Sequence, residues 1–172
     1  MMEIPCAHCL LRPWQSGDEE SLVHHANNRN VWINLADRFP HPYTIENARE
    51  WIAPASIQTP PHDFAIVVND AAVGGVGIIL KDGIRRRTAE IGYWLGEEFW
   101  GRGIATEALS AMTEYAFAHF DIVRLQASVY EWNQASMRVL EKAGYQREAV
   151  LKQNVIKDNC LIDEYIYCQL NK

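Results

Sequence analysis

No stretch of this chain stays apolar for the roughly 20 residues that a membrane-spanning helix needs, so no membrane association is expected. A surplus of basic residues is also missing. Lys and Arg number 16 against 22 Asp and Glu, a formal net charge of −6 over 172 residues. Phosphate-backbone binding draws on clustered Lys and Arg, so nucleic acid is not an expected partner. The one basic run, Arg85-Arg86-Arg87, follows Asp82-Gly83 and reads as a solvated hairpin tip. The start of the chain lacks the basic, then apolar, character of an export signal and holds Glu3, Pro5 and His8 instead. The expected location is therefore the cytoplasm, with the four cysteines as reduced thiols. Cys6-Ala7-His8-Cys9 has the spacing of half a metal site, but Cys160 and Cys168 are eight apart with no neighbouring His, so no metal is expected. Repeats, low-complexity tracts and long linkers are absent too, which implies one domain over residues 1–172.

What is present is an ordinary globular composition, 48% apolar and 22% charged. Residues 9–14 read as an edge strand that Pro13 ends. Ser16 to Glu20 supply cap-type and acidic residues before Leu22, Val23 and Ala26 at helical spacing. Thr44 with Asn47 marks a second helix start, and Pro54 is expected to end that helix. Three strands follow, at 64–68, 73–80 and 88–95, with turn signals at Asn69-Asp70 and Asp82-Gly83. A long helical pattern then runs to about Phe120. After it come a strand at 123–130, a helix at 133–142 closed by Gly144, and strands at 145–151 and 163–170 joined through Lys157-Asp158-Asn159. The order predicts an α/β (α+β) fold around one mixed sheet.

Two segments carry chemistry. Trp100-Gly101-Arg102-Gly103-Ile104-Ala105-Thr106 sits where a strand gives way to a helix. Its glycines let the backbone turn tightly, and the first N–H groups of a helix have no internal partner, which suits an anion such as phosphate. A plain glycine-capped turn accounts for the residues equally well. A P-loop is excluded because no Gly-Lys-Ser/Thr follows, and a dinucleotide fingerprint lacks its third glycine. The second segment runs from Asn133 through Ser136 to Lys142-Ala143-Gly144-Tyr145. Asn133 and Ser136 share one side of the first turn, and Asn133 would also serve as a simple N-cap.

Together these segments resemble the GNAT acetyltransferases, and within them the RimJ/RimL-like branch. The acetyl-CoA signature Q/R-x-x-G-x-G/A appears as Trp100 to Ala105, with Trp in place of Gln or Arg as in that branch, and the string continues through Thr106, Glu107 and Ala108. Leu11-Arg12-Pro13 with Asp18, Pro42-Tyr43-Thr44 through Trp51-Ile52, and Glu90-Ile91-Gly92-Tyr93-Trp94-Leu95 match further pieces in order. The resemblance implies a central, mixed, mostly antiparallel sheet of about seven strands, split between the fourth and fifth, with about four flanking helices. It implies an acetyl-CoA-dependent N-acetyltransferase acting on a primary amine, a peptide or protein N-terminus or a small-molecule amine, by direct attack on the thioester. The molecule would be a monomer or homodimer. A non-catalytic acyl-CoA sensor on the same scaffold is the alternative.

The resemblance also assigns residues. Trp94, Leu95 and Gly96 would offer an edge to the pantetheine arm, with the Leu95 N–H as oxyanion donor. Gly101, Arg102, Gly103, Ile104, Ala105 and Thr106 would hold the pyrophosphate, and Asn133 and Ser136 would reach the cofactor. The Tyr that many members use to protonate the leaving thiolate is replaced by Leu140, so the role passes to Ser136. From residue chemistry and strand alternation rather than from the resemblance, Glu90, with Glu97 and Glu98, is the candidate for the general base, and Tyr93 and Tyr130 are further polar candidates. His24, His25, Trp32, Phe39, His41 and Tyr43 would wall the acceptor site or belong to the core.

Overall fold

The computed structural model describes residues 2–171. In chain order its strands and helices are β1 (Ile4–Pro5), β2 (Leu10–Pro13), α1 (Glu19–Ala26), α2 (Arg29–Trp32), α3 (Ile45–Ala55), β3 (Asp63–Val68), β4 (Ala71–Leu80), β5 (Thr88–Leu95), α4 (Ile104–His119), β6 (Arg124–Tyr130), α5 (Gln134–Lys142), β7 (Gln146–Lys157) and β8 (Cys160–Leu170), with 3-10 turns at Gly83–Arg85 and Glu97–Phe99. One eight-stranded sheet runs β1-β2-β3-β4-β5-β6-β8-β7. Its pairs are antiparallel except β5 with β6.

Several local expectations hold for visible reasons. Asn69 and Asp70 both adopt the left-handed conformation (φ 49° and 66°), as do Asp158 and Asn159 (φ 51° and 61°), giving the two-residue turns that close the β3–β4 and β7–β8 hairpins. Thr44 and Asn47 form a reciprocal capping box at α3. The Arg85–Arg87 tip is exposed.

Other expectations change. β2 is not an edge, because β1 covers it through Ile4↔Leu11 and Pro5↔Leu10. Pro54 lies inside the last turn of α3, where it removes only one N–H, and Ser56 N–H still bonds to the Ile52 carbonyl. Asp18 precedes α1 without capping it, since its carboxylate takes a two-pronged bond from the buried Arg12 guanidinium at 2.8 and 2.7 Å. The last two strands are longer than expected. A register shift between Leu151 and Val155, with Gln153 at φ 50°, breaks the alternation that would have revealed β7.

The sheet is covered on both faces. On one side α4 and α5 set Ile104, Ala108, Met112 and Leu140 against Leu11, Phe64, Ile91 and Leu125. On the other, α1 and α3 place Leu22, Ala26, Ala48 and Ile52 over Trp14, Ala65 and Val67. Ala108 and Ala116 of α4 are fully buried, and their small side chains let the helix lie close to the strands.

Candidate active site

β5 and β6 pair over only three rungs, Thr88↔Arg124, Ala89↔Leu125 and Glu90↔Gln126. Beyond them, residues 91–95 and 127–130 have no partner across the gap, so the sheet is split. The direction of the backbone groups follows from two bonds. Gly96 N–H donates to the Val73 carbonyl on the β4 side, at 2.8 Å, while the Arg87 carbonyl accepts from Val123 N–H on the β6 side, also at 2.8 Å. Alternation then turns the backbone groups of Tyr93 and Leu95 into the split, and those of Trp94 and Gly96 toward β4. The Leu95 N–H therefore faces the opening. The expectation for Trp94 is corrected: its backbone belongs to the β4 ladder, and its indole packs on the α1/α3 side against Phe39, with ring centroids 5.5 Å apart. Trp100 has a role that the motif did not reveal, because its indole N–H donates to the Leu95 carbonyl at 2.7 Å and ties the following loop to the end of β5.

At the mouth of the split, Gly101 and Gly103 adopt φ 73° and 81°, and a Cβ on either would meet open space. Gly103 caps α4 without any side-chain bond, and the first bond of the helix is Glu107 N–H to the Gly103 carbonyl. Ile104, Ala105 and Thr106 thus present free N–H groups at the positive end of a 16-residue helix. This uncapped, unobstructed end fits a pyrophosphate. Ile104 contributes only its backbone, since its side chain is core, and the Arg102 guanidinium stacks over Phe99 at 5.3 Å. Glu107 would oppose an anion, but His8 engages its carboxylate through its backbone N–H and its ring at 2.9 and 2.6 Å.

α5 faces the same split. Ser136 Oγ lies 2.7 Å from the Tyr93 hydroxyl, which also donates to the Ser136 carbonyl at 3.3 Å. Burial pushes the Tyr93 hydroxyl up to about 12, with the Ser136 bond acting the other way. Leu140 is fully buried in the core, so no hydroxyl is available there. Asn133 caps α5 through Oδ1, which accepts from Ser136 N–H at 3.2 Å. Its Nδ2 has no partner among the described residues and remains able to donate.

Each of the candidate acids has a polar partner. Glu90 sits at the closed end of the split and is ion-paired to Lys81 at 2.6 Å, because β4 places that ammonium diagonally across from it. Glu97 accepts from Asn28 and Asn30 at 2.7 and 3.0 Å, and Glu98 lies between His24 and His25. Tyr130 flanks the other side of the split and stands edge-on to Trp132. Tyr43 and His25 are core residues, whereas His24 is exposed. Trp32 is a hub that the sequence did not announce. His41 stacks on it at 5.6 Å, and Arg29 and Lys157 lie 5.4 and 3.7 Å from its ring centroid. Arg29 pairs with Asp158, and Lys157 pairs with Asp37 at 2.9 Å, so the tip of the β7–β8 hairpin is fastened to α2 and the segment after it.

A split between parallel strands, an uncapped glycine-led helix at its mouth and a hydroxyl pair inside it coincide with a family match. Residues 8–146 fit the model of the acetyltransferase (GNAT) domain. The chain belongs to the GNAT family. It is 32% identical over 170 residues to "Probable N-acetyltransferase YjcK" of Bacillus subtilis (strain 168), covering 94% of this chain and 93% of that protein. The ribosomal-protein-serine acetyltransferase of Escherichia coli (strain K12) is 28% identical over 107 residues, 62% of this chain and 59% of the relative. A GNAT-family acetyltransferase from Bacillus anthracis superposes with a TM-score of 0.84 at 25% identity, covering 98% of each chain. RimL, a ribosomal L7/L12 alpha-N-protein acetyltransferase solved with coenzyme A, shares the fold with a TM-score of 0.85 at 22% identity and 98% of each chain. This GNAT protein is an N-acetyltransferase, and its described residues form eight strands and five α-helices where about seven and about four were expected. No helix among its described residues is long and apolar enough to cross a membrane.

Proposed function

We propose that residues 1–172 act as one domain that transfers the acetyl group of acetyl-CoA to a primary amine, the α-amine of a peptide or protein N-terminus, by direct attack on the thioester. The observation that carries the proposal is the convergence on one split of the free Leu95 N–H, the Ser136–Tyr93 hydroxyl pair and the uncapped end of α4. Acetyl-CoA supplies the activated acyl group. Ile104, Ala105 and Thr106 would hold its pyrophosphate through backbone N–H groups, and Asn133 Nδ2 would donate to the arm. The Leu95 N–H would donate to the acyl oxygen as charge develops there, a contribution worth about 3 kcal/mol where such donors have been removed from other enzymes. Ser136 would donate to the sulfur, with Tyr93 behind it as partner.

The partnered state of Glu90, Glu97 and Glu98 supports an α-amine acceptor. With a pKa of about 7.7–8.0, roughly a fifth to a third of α-amines are unprotonated near pH 7.4, whereas a Lys side chain near 10.4 is about 0.1% free. An α-amine therefore needs no strong base. The names of the ribosomal-protein acetyltransferases among the relatives point the same way. The test is incubation with acetyl-CoA and a library of peptides and small amines, following thiol release and locating the acetyl group by mass spectrometry. Acetylation at peptide N-termini is expected. Modification confined to Lys side chains or small amines would remove the acceptor assignment, and no thiol release with any amine would remove the reaction.

A further inference from the structure

We propose that His24, His25 and Glu98 form a binding site for a divalent transition-metal ion of the zinc class, one that braces α1 against the end of β5. His24 and His25 are consecutive on α1, and Glu98 lies more than seventy residues later, in the 3-10 turn after β5. The fold brings one ligand atom from each within 4.8 Å of the others. Glu98 Oε1 lies 3.2 Å from His24 Nε2 and 3.6 Å from His25 Nδ1. Ligands on a tetrahedral zinc at bond lengths of about 2.05 Å stand about 3.3 Å apart, so two of the three separations already match. The third lies within 4.8 Å, and His24 is exposed, so its ring has room to adjust.

The neighbouring groups leave these three atoms available. The adjacent Glu97 is taken by Asn28 and Asn30, whereas Glu98 has only the two imidazoles as partners among the described residues. His25 is buried edge-on against Phe99, which fixes the direction of its ring. Two imidazoles and a carboxylate suit zinc, cobalt, nickel or copper rather than magnesium or calcium. Three protein ligands also leave a position open. A Cβ on Gly96 would lie 2.7 Å from His25 Nδ1, so the imidazole rests on the backbone immediately after Leu95. An ion held here would stiffen the β5 edge of the split.

The test uses the full chain stripped with a chelator and then titrated with Zn²⁺ by calorimetry, and with Co²⁺ by visible absorption. One ion per chain is expected, with a cobalt spectrum lacking thiolate charge transfer and a thermal midpoint that rises with zinc. His24→Ala and Glu98→Gln change exposed side chains and should each weaken binding at least about tenfold, since even the loss of groups that merely orient ligands costs about 10–100-fold. A Cys6→Ser/Cys9→Ser double variant should bind like the parent. The site is overturned if the parent takes up no stoichiometric zinc, if His24→Ala and Glu98→Gln keep parent affinity, or if the cysteine double variant is the one that loses it.

Discussion

The hydroxyl of Ser136 is proposed to donate to the sulfur, a bond that would matter most as negative charge builds up. Its removal should therefore fall on turnover more than on binding. Ser136→Ala is expected to lower kcat by about 100-fold, the low end for general acid catalysis because serine is a poor acid, with the acetyl-CoA affinity within a few-fold of the parent. Steady-state kinetics with a working acceptor checks this, and a parallel loss of both constants would make Ser136 a positioning residue. Tyr93 adds a pH signature. Its hydroxyl is pushed up to about 12 by burial, as is that of Tyr43. The unfolded tyrosine releases its proton near 10, earlier than the folded one. The folded state thus binds more protons between these values, and this stabilisation, complete below 10, is lost as pH rises toward 12. Urea midpoints should fall between pH 9 and pH 11 (two buffers placed about one unit on either side of the free-tyrosine value), and less steeply in Tyr93→Phe.

In the proposed cofactor site, elements count for more than individual side chains. The end of α4 would admit an anion because Gly101 and Gly103 occupy left-handed conformations with open space ahead of them. Gly103→Val would cost about 1–2 kcal/mol for its backbone conformation and set a branched side chain in the anion's place. Calorimetry should show acetyl-CoA affinity reduced by more than about tenfold in a folded variant, equivalent to losing one charge-assisted hydrogen bond; unchanged affinity would return the segment to a simple glycine turn. This element was legible in sequence because glycine spacing and helix start lie within seven residues. The direction of the Leu95 N–H was a matter of strand parity, and parity depends on a register that only the β4 and β6 neighbours set.

For the molecule as a whole, a clasp joins the β7–β8 tip to α2 at Trp32, one of the residues proposed to wall the acceptor site. Lys157 is 1% exposed, lies over the Trp32 ring and reaches Asp37. Lys157→Met would keep the volume and lose the cation. The expected destabilisation is about 2 kcal/mol, the worth of a desolvated cation–π contact, because the Asp37 left behind is largely exposed. The acceptor KM should rise while the acetyl-CoA KM stays near the parent value, since α4 and α5 are untouched. Denaturant unfolding and two-substrate kinetics test the two halves, and equal changes in both KM values would show that the clasp shapes the entire split.

What the sequence determined by itself is local. Turn pairs such as Asn69-Asp70, the Thr44–Asn47 capping box, the glycine-led start of α4 and the Asn133 cap are set by residues a few positions apart, whose conformational preferences act before any long-range contact forms. Tertiary structure alone decided which polar groups are spent and which are free. Glu90 was claimed by Lys81 and Glu107 by His8, Tyr93 was delivered to Ser136, and the His24–His25–Glu98 and Lys157–Trp32 clusters were assembled from distant segments. The reason is physical. A charged or hydrogen-bonding group acquires its chemistry from neighbours within a few ångströms, and across a sheet those neighbours are chosen by register and packing rather than by order along the chain.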